Sequence, residues 1–126
     1  MSAHKLACLG PRGTYSHLAA KRFESVGVDV VMAVSLQEVF ATVEKGAADF
    51  GILPLENSTA GSIGQVYDRL IPSNLVIYAE FDQGIDHMLM SPSGKLEGVS
   101  VLYSHPEPYN QCQKFIHEQL LGCRWV

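Results

Sequence analysis

Hydrophobic positions recur along this chain with two different periods, and their succession predicts the order of its elements. Lys5 to Leu9 is a short β-like run closed by Gly10-Pro11-Arg12-Gly13, a turn-forming cluster, and a helix is expected from about Ser16 to Ser25. Val28 to Val34 is rich in β-branched residues and reads as a second strand. Next, Leu36, Val39, Phe40 and Val43 recur at helical spacing, Ser35 and Glu38 form a capping box, and Gly46 supplies a stop. Phe50 to Leu53 is a third strand, followed by a polar corner and a helix with Ile63, Val66, Tyr67 and Leu70 on one face, ended by Pro72. This βαβαβα order favours a parallel sheet with right-handed crossovers.

The pattern then changes. Leu75 to Phe81 and Ile85 to Ser91 read as two strands separated by a break too short for a helix. A lobe boundary is therefore expected near residues 72 to 75, with residues 1–74 as a first α/β lobe and residues 75–126 as part of a second. Val99 to Tyr103 is another short strand, and Pro108 suits the first turn of a helix carrying Tyr109, Cys112 and Ile116 on one face, stopped by Gly122. Cys123 to Val126 looks like the opening of a further strand without a partner. The second lobe reads as unfinished, because it has too little helix to cover both faces of a sheet.

Candidate chemistry gathers where strands give way to helices. In open α/β sheets ligands bind beyond the carboxyl ends of the strands, so Glu56, Asn57 and Ser58, just past the third strand, are placed for function. The other reading has them satisfying local N–H groups and capping the next helix. Gly10 to Ser16 is a glycine loop before a helix, suited to an anion, or an ordinary turn with Ser16 as the N-cap. Arg12 either pairs with a carboxylate there or is solvated. Ser104 and Gln111 flank a helix start and either converge on a ligand or act as a cap and a solvated side chain. His105, before Pro106, is a lone loop histidine, which is more often structural.

Composition narrows the partners. The 126-residue length suits about one domain, and a net charge of -4 without a Lys/Arg cluster argues against nucleic acid or an anionic membrane. A small ligand is expected, in a cytoplasmic protein: no apolar run approaches the roughly 20 residues of a membrane span. Cys8, Cys112 and Cys123 are an odd number and read as apolar packers. A zinc site from His105, Cys112, His117 and Cys123 fails on geometry, since Cys112 and His117 on one helix would point about 140° apart. No metal or other cofactor is implied.

Taken together, the motifs resemble those of the prephenate dehydratase domain, which makes phenylpyruvate on the route to phenylalanine. The matching pieces are Leu9 to Ser16, Pro54 to Ile63, Ile85-Asp86-His87-Met88-Leu89, and Tyr103-Ser104-His105-Pro106 with Gln111-Cys112. The resemblance spans the whole chain and about the first two-thirds of the family domain. It implies an α/β fold of two lobes resembling type II periplasmic binding proteins, with substrate in the cleft between them and the second lobe truncated here. It also implies catalytic roles for Glu56, Asn57, Ser104 and Gln111, and substrate binding by Arg12, Thr14, Ser16 and Ser58. The family's Thr-Arg-Phe motif does not occur in this sequence, and neither the return crossover that completes the first lobe nor the regulatory ACT domain is expected within it. The partner implied is a small dianion, prephenate or its like. Exposed edges suggest a homo-oligomer with exchanged strands. A noncatalytic anion-binding or assembly module derived from the same fold is the competing reading.

Overall fold

Residues 4 to 9 alternate in a way that lets one strand serve two layers. In the computed structural model, which describes residues 3–126, strand β1 (His4–Leu9) is buried on both faces. Leu6 and Cys8 pack with Ala20 of helix α1 (Tyr15–Glu24), while Ala7 packs with Ala33, Val39 and Ala48 on the other side. Strands β2 (Val28–Ala33) and β3 (Phe50–Ile52) flank β1, both parallel to it, in the order β2-β1-β3. Helix α2 (Leu36–Glu44) lies between β2 and β3 in sequence. The sheet is thus parallel, as the alternation requires. Burial also pushes the Cys8 thiol up, so this cysteine acts as a small apolar packer.

The contact of α2 with β3 depends on a glycine. A Cβ at Gly51 would lie 3.0 Å from Val39 Cγ1 and 3.2 Å from Val43 Cγ2. Gly46 ends the α2 region with φ of 70°, a left-handed conformation that glycine adopts at no steric cost. Beyond β3 the chain forms a short hairpin of two-residue strands, β4 (Glu56–Asn57) and β5 (Gly61–Ser62), then helix α3 (Gly64–Leu70), which buries Val66.

Two compact units are present, Met1–Gln83 and Gly84–Val126, with residues 75–83 belonging to the first. The reason is side-chain packing. Phe81 meets Phe23 in a tilted pair with ring centroids 5.9 Å apart and lies under the Arg22 guanidinium at 4.7 Å, and Tyr78 meets Phe50 at 5.7 Å, which ties this stretch to the first unit. Neither Leu75 to Phe81 nor Ile85 to Ser91 forms a strand, contrary to the expectation from their apolar runs. A strand needs a hydrogen-bonded neighbour, and among the described residues no ladder reaches either segment.

The second unit holds β6 (Val101–Leu102), α4 (Pro106–Gln111), α5 (Gln113–Gln119) and β7 (Arg124–Trp125). One helix was expected where two occur, divided at Cys112, whose φ of -102° and ψ of 13° depart from helical values. β7 has a partner after all: it pairs parallel with β6, with Val101 opposite Arg124 and Leu102 opposite Trp125. Leu120 is the buried hydrophobic residue of this unit. Among the described residues no helix is long and apolar enough to cross a membrane.

Candidate functional site

The glycine loop joins β1 to α1. Gly10 N–H donates to Ala33 C=O at 2.8 Å, anchoring the loop to the end of β2, and Gly13 has φ of 93°. The N-cap of α1 is Thr14, not Ser16: Thr14 Oγ1 accepts the His17 N–H at 3.3 Å and donates to Pro11 C=O at 3.0 Å. A hydroxyl has one proton, so the only O–H donor of Thr14 is spent within the loop. Arg12 is exposed and borders an open hollow of about 530 Å³ whose wall includes Glu24 and Asp29. Ser16 is half-buried in the first turn.

The polar corner after β3 is a hairpin rather than a helix cap. Glu56 pairs with Ser62 and Asn57 with Gly61, while Asn57 Oδ1 closes the turn by accepting the Thr59 N–H at 2.9 Å and the Ala60 N–H at 3.2 Å. The N-cap position of α3 is Ile63, which offers no side-chain cap. Tyr67, one turn into α3, directs its hydroxyl toward Glu56 Oε1 at 3.5 Å. Because Asn57 uses its carbonyl oxygen locally, its amide NH2 is the end with donor capacity toward a ligand. Glu56 and Ser58 are exposed.

In the second unit, Ser104 lies just past β6 and its Oγ donates to His105 C=O at 2.8 Å, while its own C=O accepts the Trp125 indole N–H at 2.9 Å. His105, not Ser104, is the N-cap of α4, its Nδ1 accepting the Glu107 N–H at 3.4 Å. This gives the loop histidine a structural task. Tyr109 stacks on Trp125 with ring centroids 4.3 Å apart and planes 11° from parallel, fixing α4 over the strand pair. Gln111, at the end of α4, places Oε1 2.6 Å from His87 Nε2. Gln111 therefore meets the Ile85 to Leu89 segment, and within this unit the structure joins two of the quoted motifs.

The family model for prephenate dehydratase matches residues 6–126. The chain belongs to the prephenate dehydratase family. Its relatives include the bifunctional chorismate mutase/prephenate dehydratase of Enterobacter agglomerans, 39% identical over 119 residues, covering 91% of this chain and 31% of that protein. The protein of the same name from Escherichia coli (strain K12) is 38% identical over 117 residues, covering 90% and 30%. The X-ray structure of prephenate dehydratase from Streptococcus mutans aligns with a TM-score of 0.51 at 33% identity, over 55% of this chain and 36% of that one. The chain thus spans about a third of the length of these relatives.

Sequence reasoning singled out Glu56, Asn57, Ser104 and Gln111 but passed over their supports. His87 lay inside a quoted motif without being assigned a task, and its signal was its place between Asp86 and Met88 in that motif. Tyr67 was taken only as an apolar position, although its hydroxyl reaches Glu56. Among the described residues no group of three or more His, Cys, Asp or Glu side chains is arranged to hold a metal ion.

Proposed function

We propose that this chain carries the prephenate-handling residues of a prephenate dehydratase with a two-lobed fold like that of type II periplasmic binding proteins, acting in the cytoplasm. The observation that supports it best is the Asn57 side chain, whose carbonyl is committed to its own turn and whose amide donors remain for a substrate oxygen. The reaction removes two groups from one ring. The ring C–O bond breaks as the hydroxyl takes a proton and departs as water. The bond to the ring carboxylate breaks with it, and its electron pair completes the aromatic ring as carbon dioxide leaves.

Such chemistry asks mainly for positioning and one proton donor. Asn57, Ser104 and Gln111 are uncharged groups that orient carboxylate, keto and hydroxyl oxygens, and Glu56, held by Tyr67, aligns rather than protonates. Arg12, Ser16 and Ser58 are assigned to substrate carboxylates, and Thr14 to the shape of the loop that faces them. The second reading is a noncatalytic anion-binding module, in which the Asn57 amide donors left over from its turn hold an anion without turnover.

Phenylpyruvate formation from prephenate, with wild-type chain and Gln111→Ala prepared identically, separates the readings. Formation that is lost in the variant supports the dehydratase. Prephenate binding without formation favours the binding module, and neither binding nor formation contradicts both.

A further inference from the structure

Helices α1 and α2 begin with the same hydrogen-bond geometry and different electrostatics. In each, the N-cap hydroxyl accepts the N–H of the third helical residue, Thr14 from His17 at 3.3 Å and Ser35 from Glu38 at 3.1 Å. In each, the side chain of that third residue reaches back to the N–H of the residue before the cap. His17 Nδ1 accepts from Gly13 at 3.0 Å, and Glu38 Oε2 accepts from Val34. This is a capping box displaced by one residue. Glu38 brings a carboxylate to the start of α2, whereas the first turn of α1 contains no acidic residue.

The Gly13 bond fixes the imidazole tautomer. A ring nitrogen that accepts a hydrogen bond carries no proton, so the proton is on Nε2. That nitrogen is buried and has no hydrogen-bond partner among the described residues. Burying an unpaired donor is unfavourable, so packing does not account for an imidazole at this position, and the bond made by Nδ1 does. The same bond holds Gly13 at its positive φ between Pro11 and Thr14, which are themselves joined by the Thr14 hydroxyl.

We propose that His17 is a positioning residue for the glycine loop: through Nδ1 it holds the loop in one conformation while adding no negative charge where an anionic substrate is to be received. A carboxylate in its place would oppose such a substrate. The functional half of this proposal rests on the reading of the chain as a prephenate-handling protein.

Two variants separate the nitrogens, because Asn places an amide oxygen near the position of Nδ1 and Gln places its amide near Nε2. In His17→Asn the hydrogen exchange of the Gly13 amide is expected to stay within about twofold of wild type, and in His17→Gln to speed up about tenfold, the effect of one lost neutral hydrogen bond. Prephenate affinity by calorimetry follows the same split, close to wild type in the Asn variant and about tenfold weaker in the Gln variant. In the wild-type chain, ¹⁵N spectra should place the proton on Nε2 and reveal a scalar coupling between the Gly13 amide and Nδ1. A proton on Nδ1, or equal Gly13 exchange and equal affinity in His17→Gln and wild type, overturns the proposal. If wild type binds no prephenate, the reading of the function fails, while the coupling and the exchange rates still decide the role of His17, including where a variant does not fold.

Discussion

His87 Nε2 lies 2.6 Å from Gln111 Oε1, so the segment after the first unit and the end of α4 share a hydrogen bond. With the amide oxygen as acceptor, His87 supplies the proton, and Gln111 keeps its NH2 as its donor end. If that donor meets substrate, His87 sets its direction. Removing either residue should weaken prephenate binding about tenfold, and the double variant His87→Ala with Gln111→Ala should be little weaker than either single one. Calorimetric titration of the four proteins checks this; additive losses would mean that the two residues act independently.

Gly51 should not tolerate a methyl group. An alanine Cβ would press on Val39 at 3.0 Å and Val43 at 3.2 Å, and β3 is held by its ladder with β1 while Val39 is fully buried. Overpacking of this kind costs about 1–3 kcal/mol, so Gly51→Ala should lower the urea midpoint without a change in slope. An unchanged midpoint would mean that α2 shifts freely away from the sheet.

Asp49 gives the fold a pH dependence with a definite sign. Its Oδ2 accepts the Lys5 N–H at 2.8 Å, and its own N–H donates to Lys5 C=O at 2.9 Å, closing the start of the β1–β3 ladder. The Lys5 N–H is the main reason its carboxyl lies below the ordinary 3.8, with nearby His4 adding to it. A group depressed in the folded state stabilises fully above its unfolded value and loses that contribution as pH falls through the folded one. Asp49→Ala should therefore melt below wild type near neutrality, and the gap should close as the pH drops below 3.8. A gap that persists in acid would assign the effect to something other than charge.

Large apolar side chains are exposed on both units, Val76 and Tyr78 on the first and Met88 and Met90 on the second. Open sheet edges and such surface favour association, and a second copy of the chain is the partner always at hand. Sedimentation velocity should find a concentration-dependent dimer or larger species. A monomer at all concentrations would remove the oligomer from the account.

How far the sequence could be read depended on whether each element carries its own cause. Ser35 and Glu38 are a recognisable capping pair and Gly46 a recognisable stop, so α2 was legible to within a residue or two. Thr14 and His17 make the same box with an unfamiliar partner, and α1 was given the wrong cap for that reason. The hairpin of Glu56 and Asn57 was missed because two-residue strands leave no periodicity, and what closes the turn is one side-chain oxygen. Leu75 to Phe81 has the composition of a strand, but pairing is a property of two segments and composition belongs to one. The break at Cys112 lies in backbone angles that its apolar spacing does not encode. For the site, motifs named Asn57 and Gln111, whereas the contacts of Tyr67 and His87 emerge only from folding.

The most direct test of the account is calorimetric titration of prephenate into the wild-type chain and into Asn57→Asp. Asp keeps the oxygen that closes the turn at Thr59 and Ala60 and removes the amide donors, so the hairpin survives while the proposed substrate contact does not. Binding by wild type that weakens by about tenfold or more in Asn57→Asp, with an unchanged melting temperature, is the predicted result. Equal binding by the two proteins, or none by wild type, would contradict it.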